Sequence, residues 1–114
     1  MEISITKESA IVLAGVYKTY CAKKKSGLSH NQAASFMLWD ELDKCTKELS
    51  SQGISRCINE LARFGLVKAY AIDYVLTDYG IATVEKNCSG GENIQKWIDT
   101  LVSVATTVIS LVSG

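Results

Sequence analysis

The chain has a single histidine, His30, and no two of its cysteines are closely spaced. Cys21, Cys45, Cys57 and Cys88 stand 24, 12 and 31 residues apart, whereas zinc sites draw on tightly paired Cys or Cys/His ligands. A metal centre is therefore not expected, nor is any other cofactor. The chain also lacks a G-x-S-x-G nucleophile turn and a phosphate-cradling glycine loop, so it reads as a non-enzyme. Four reduced thiols in a cytoplasmic protein account for the cysteines most simply, with a redox sensor as the sharper alternative.

Excess charge is missing too. Twelve basic residues balance twelve acidic ones, for a net charge of zero. Strong non-specific DNA binders carry a basic domain that neutralises phosphates, so any basic surface here has to be local. The start, MEISITKES, has neither the basic region nor the apolar core of a signal peptide. No run reaches the roughly 18–20 apolar residues of a spanning helix. These absences predict a cytoplasmic protein with no membrane partner. At 114 residues and 47% hydrophobic content, the chain supports one folded domain, with room for an appended element, and not a disordered one.

Helical periodicity organises the first half. Lys7–Lys24 is predicted as a helix capped by Thr6, with Ala10, Leu13, Ala14, Tyr17, Tyr20 and Cys21 on one buried face. Lys23–Lys25 complement the negative end of its dipole. After Ser26-Gly27, Ser29 and Gln32 form an S-x-x-Q capping box, which puts His30 in an exposed first turn. That helix is expected to continue through Ala33, Ala34 and Phe36. Leu38–Lys47 keeps Leu38, Trp39, Leu42 and Cys45 on a further helical stripe, with Asp40, Glu41 and Asp43 as a solvated acidic face.

The stretch Gly53–Glu85 carries most of the information. Ser50 or Ser51 caps a helix running to Phe64, and Ile54, Cys57, Ile58, Leu61 and Phe64 share an arc of roughly 120°. On that stripe reduced Cys57 acts as a small hydrophobe. The opposite face carries Gln52, Arg56, Asn59 and Arg63. Gly65 suits a left-handed helix end. Two short β-prone runs follow, Leu66–Tyr70 and Tyr74–Leu76, separated by Ala71, Ile72 and Asp73. Thr77 and Asp78 start another helix with Ile81 and Val84 inward, and Asn87–Gly91 is a joint.

These residues resemble the winged helix-turn-helix superfamily, and in particular the small winged-helix proteins of bacteria and their phages. The resemblance is carried by I-x-x-L-x-x-F-G-L-V (Ile58, Leu61, Phe64, Gly65, Leu66, Val67) and L-T-D-x-G (Leu76, Thr77, Asp78, Gly80). It implies a mainly α (α+β) winged-helix domain over residues 1–88 with a short two-stranded wing. It also implies a recognition helix ending at Phe64. Arginine can bond guanine in two places, and asparagine or glutamine can do so with adenine. Arg56, Asn59 and Gln52 are thus the expected base readers of double-stranded DNA, while Ser51, Arg63 and Lys68 are expected to hold phosphates. Two features depart from the family pattern: Ala71-Ile72-Asp73 puts no positive charge at the wing tip, and Gly53 sits in the recognition helix's first turn.

Residues 92–113 are expected to form a C-terminal amphipathic helix. From Glu92 to Val112, Ile94, Trp97, Ile98, Leu101, Val102, Val104, Ala105, Val108, Ile109, Leu111 and Val112 fill one half of a helical wheel. Gln95, Lys96, Asp99, Thr100, Ser103, Thr106, Thr107 and Ser110 fill the other. This helix can pack on its own domain, build a homodimer, or lie on a membrane. The lack of charge after Asp99 disfavours the last. The dimer reading places Trp97, Ile98, Leu101, Val104, Ala105, Val108 and Val112 at the interface. Two functions remain in play. One is a dimeric DNA-binding transcriptional regulator. The other is a protein-interaction module of phage or mobile-element origin that binds a host protein.

Overall fold

The computed structural model describes residues 2–37, 51–71, 73–88, 94–101 and 106–110. The elements are β1 (Glu2–Thr6), α1 (Lys7–Lys25), α2 (His30–Ala34), β2 (Ser35–Phe36), α3 (Ser51–Arg63), β3 (Val67–Ala69), β4 (Tyr74–Leu76), α4 (Asp78–Cys88), α5 (Ile94–Leu101) and β5 (Thr106–Ser110). The architecture is α+β, with helices around two small antiparallel sheets.

α1 is the central helix. Thr6 caps it, its hydroxyl oxygen accepting the Ser9 N–H at 3.2 Å. Ala10, Leu13, Ala14 and Tyr17 are buried as expected, and so are Val12 and Val16. The buried arc is wider than one stripe because α2, α3, α4 and α5 all pack against this helix. It ends at Gly27, whose φ is 97°. Leu28 N–H reaches the Lys23 carbonyl at 3.2 Å and Gly27 N–H that of Lys24 at 3.1 Å, the paired bonds of a Schellman end.

Ser29 and Gln32 form the reciprocal capping box that opens α2. The helix stops at Ala34, short of the expected Phe36. Ser35 and Phe36 instead pair with Val75 and Tyr74, and buried Phe36 stacks on the Tyr74 ring at 5.7 Å. A distant strand thereby overrides the local helical pattern. The expected helical stripe Leu38–Lys47 lies outside the described residues.

α3 closes as α1 does. Gly65 has φ 75°, with Leu66 N–H on the Leu61 carbonyl and Gly65 N–H on that of Ala62, both at 3.0 Å. β3 and β4 then form a hairpin and join β2 in a sheet of order β2-β4-β3. The L-T-D-x-G run has a clear mechanical role. Thr77 donates its hydroxyl to the Gly65 carbonyl at 2.7 Å and accepts the Gly80 N–H at 2.9 Å. Any Cβ on Gly80 would run into the Leu66 carbonyl. The turn after α3 and the start of α4 therefore fit together as one piece.

The tail corrects the expectation of one long helix. α5 ends at Leu101, and Thr106–Ser110 is a strand antiparallel to β1, with Ile109 opposite Ile3 and Thr107 opposite Ile5. Thr106, Thr107, Val108 and Ile109 are β-branched and suit a pleated surface better than a helix. β1 supplies the ladder. Ile3, Ile5 and Ile109 are buried together in the core. Asn87 on α4 brackets the strand end, its amide donating to the Ser110 carbonyl at 3.0 Å and accepting the Ser110 N–H at 3.1 Å.

Candidate nucleic-acid interface

α3 divides cleanly between core and solvent. Ile54, Cys57, Ile58 and Leu61 are buried, while Ser55, Arg56, Asn59 and Arg63 are exposed. At about 100° per residue, Arg56, Asn59 and Arg63 fall within about 60° of arc. The helix therefore brings three of the expected DNA contacts to the middle of one solvent face. Ser51 and Gln52 are its first two residues. Lys68 lies past the Gly65 turn on β3, exposed, with its Nζ 5.4 Å from the centre of the Tyr70 ring.

Neighbouring carboxylates sit to one side of this arc. Glu60 accepts the Thr6 N–H at 3.3 Å, which anchors it toward the β1–α1 junction. There an open cleft of about 360 Å³ is lined by Thr6, Glu8, Ser9, Gly53, Arg56, Cys57 and Glu60. Burial, reinforced by Glu8 and Glu60, pushes the Cys57 thiol's pKa above its ordinary value. Cys88 is likewise buried and Cys21 partly so; Cys45 lies outside the described residues.

The hairpin behind α3 turns tightly, with Tyr70 N–H donating to the Asp73 carbonyl at 2.9 Å. The Asp73 carboxylate accepts the Ser35 hydroxyl at 3.0 Å, so it serves the sheet. Tyr70 is 54% exposed, an aromatic surface that sequence pattern did not single out.

His30 is exposed, as its place in a first turn implied, but it is not simply solvated. Its Nε2 lies 2.7 Å from an Asp78 oxygen and its Nδ1 3.2 Å from the Tyr20 hydroxyl, tying α1, α2 and α4 together. Among the described residues no three His, Cys, Asp or Glu side chains are grouped to hold a metal, and no helix is long and apolar enough to cross a membrane.

Of the residues expected at a dimer interface, Trp97, Ile98, Leu101 and Val108 lie among the described residues. Trp97 is partly buried against its own chain's core, alongside buried Ile94. Ile98 and Leu101 belong to α5, and Val108 pairs with Ser4. Val104, Ala105 and Val112 lie outside the described residues. No known protein family, curated protein or solved structure matches the chain.

Proposed function

We propose that this chain is a small cytoplasmic winged-helix protein that binds double-stranded DNA through α3 and acts as a transcriptional regulator. The reading is carried by the exposed arc of Arg56, Asn59 and Arg63 on a helix whose opposite side is sealed in the core. The order of α3, Gly65 turn, β3–β4 hairpin and α4 supports it. Arg56 and Asn59 offer the fork-shaped donors that read guanine and adenine edges, with Gln52 as a third reader. Ser51, Arg63 and Lys68 hold phosphates and set register. Two-fold action on a half-site pair calls for a dimer. The tail supports that less than its sequence promised, since β5 and Trp97 are engaged within one chain.

The rival is a protein-interaction module on the same scaffold. It is favoured by the neutral charge balance and by exposed Tyr70 on a hairpin whose only acidic residue is turned to the sheet.

Binding to random duplex DNA across a salt series separates the two. A DNA reader loses affinity steeply as salt rises, and each lost phosphate contact lowers the slope by about one. Arg56→Ala with Arg63→Ala should therefore flatten the dependence, while leaving stability within about 0.5 kcal/mol because both side chains are exposed. No binding at low salt would sink the regulator.

A further inference from the structure

The cleft beside α3 has a composition that neither core packing nor DNA binding requires. Its volume, about 360 Å³, lies in the range of small-molecule sites. Arg56 and Glu60 stand one helical turn apart, a spacing at which opposite charges commonly pair. They do not pair here. Glu60 accepts the Thr6 N–H through one oxygen, and among the described residues Arg56 forms no ion pair. Glu8 stands on the opposite wall, at the start of α1. Ser9, only 2% exposed, lines the cleft with its hydroxyl accepting that of Thr6 at 3.0 Å.

The lining thus holds one guanidinium and two carboxylates with no ion pair between them among the described residues, and one negative charge in excess. A metal ion is a poor fit, because the guanidinium repels it and, among the described residues, no three His, Cys, Asp or Glu side chains are grouped to hold one. An anion alone meets two carboxylates, and a simple amine meets Arg56. A molecule with one carboxylate and two ammonium groups answers every charge: its carboxylate takes the guanidinium as a charge-assisted pair, and its ammonium groups take Glu8 and Glu60. We propose that the cleft between the β1–α1 junction and α3 binds a small diamino carboxylate of the lysine or ornithine type. Occupancy withdraws Arg56 from the DNA-facing arc and lowers DNA affinity. That consequence rests on the DNA-binding reading; the binding itself does not.

Amide-resolved NMR titration of the full chain tests both halves, with L-lysine, putrescine and acetate as probes. L-Lysine should give saturable shifts at Ser9, Gly53 and Glu60 with a Kd of about 1 mM or tighter, and each half-ligand should bind at least about tenfold more weakly. Glu8→Gln and Arg56→Gln should each weaken L-lysine about tenfold, with the rest of the spectrum unchanged. Absence of saturation, equal binding of putrescine or acetate, or indifference to both substitutions would overturn the site. At matched ionic strength L-lysine should release DNA from the native chain and not from Glu8→Gln. Saturation by L-lysine with DNA affinity unchanged would overturn the coupling alone. Saturation in a chain that never binds DNA would leave the site standing and remove the regulator.

Discussion

The α3–hairpin–α4 region and the tail carry equally strong apolar patterns, yet their sequences translate into structure differently. In the first, each device is local. Ile54, Cys57, Ile58 and Leu61 recur at helical steps, and Gly65 closes the helix within four residues of its last buried side chain. Thr77 caps α4 while bonding back to Gly65. In the tail, the residues that decide the outcome are about a hundred positions away. Thr106–Ser110 sorts well on a helical wheel, but β1 offers it a five-pair ladder and a buried place for Ile109. A pattern rich in Thr, Val and Ile satisfies both geometries, and only the partner chooses between them.

The largest test of this contrast removes residues 89–114. If the tail were an appended dimer helix, truncation would change association and leave the domain folded. In the structure it deletes Ile94 and Ile109 from the core and strips β1 of its partner. Burying two such side chains is worth about 5 kcal/mol, comparable with the whole stability of a small domain. Thermal unfolding followed by circular dichroism should therefore show the truncated chain largely unfolded. A cooperative transition close to that of the full chain would break the comparison. Sedimentation of the full chain then reads self-association independently of folding.

Gly80→Ala probes the local region with a smaller change. The new methyl group meets the Leu66 carbonyl, which already accepts the Thr77 N–H at 3.2 Å. The backbone of the Gly65 turn has to move, and overpacking of this kind costs about 3 kcal/mol at the upper end of its usual range. Urea denaturation should register the loss at an unchanged slope. A cost below about 1 kcal/mol would mean that the turn after α3 yields easily, and that the L-T-D-x-G run is less of a unit than its bonds imply.

How much was legible follows from the same distinction. Thr6, the Ser29–Gln32 box, the Gly65 end and the α3 stripe are set by residues within a turn of one another, and all could be read directly. β1, β2 and β5 could not, because each is short and each depends on a partner far along the chain. The solvent arc of Arg56, Asn59 and Arg63 was legible as the complement of a buried stripe. The cleft was not, since its second wall is built from Thr6, Glu8 and Ser9, whose proximity to α3 is a tertiary fact.

Tyr17 joins the two kinds of information in one side chain, and its removal should give the smallest effect. Its ring was readable as part of the buried face of α1, and it is 1% exposed. Its hydroxyl donates to Glu85 on α4 at 3.1 Å, 68 residues away, which no local pattern announces. Burial, with the Cys21 thiol and Glu85 adding to it, raises the hydroxyl's pKa well above its ordinary 10.0. A raised phenol pKa means that the folded state holds its proton more tightly than the unfolded one. Stability from this group is thus complete below pH 10 and declines as pH rises beyond it, where the unfolded chain releases the proton first. Tyr17→Phe should cost about 1 kcal/mol at neutral pH, the worth of one hydrogen bond. It should also make the alkaline fall in stability shallower. An unaltered alkaline profile would show that the hydroxyl is hydrated and that α1 and α4 meet through apolar contact alone.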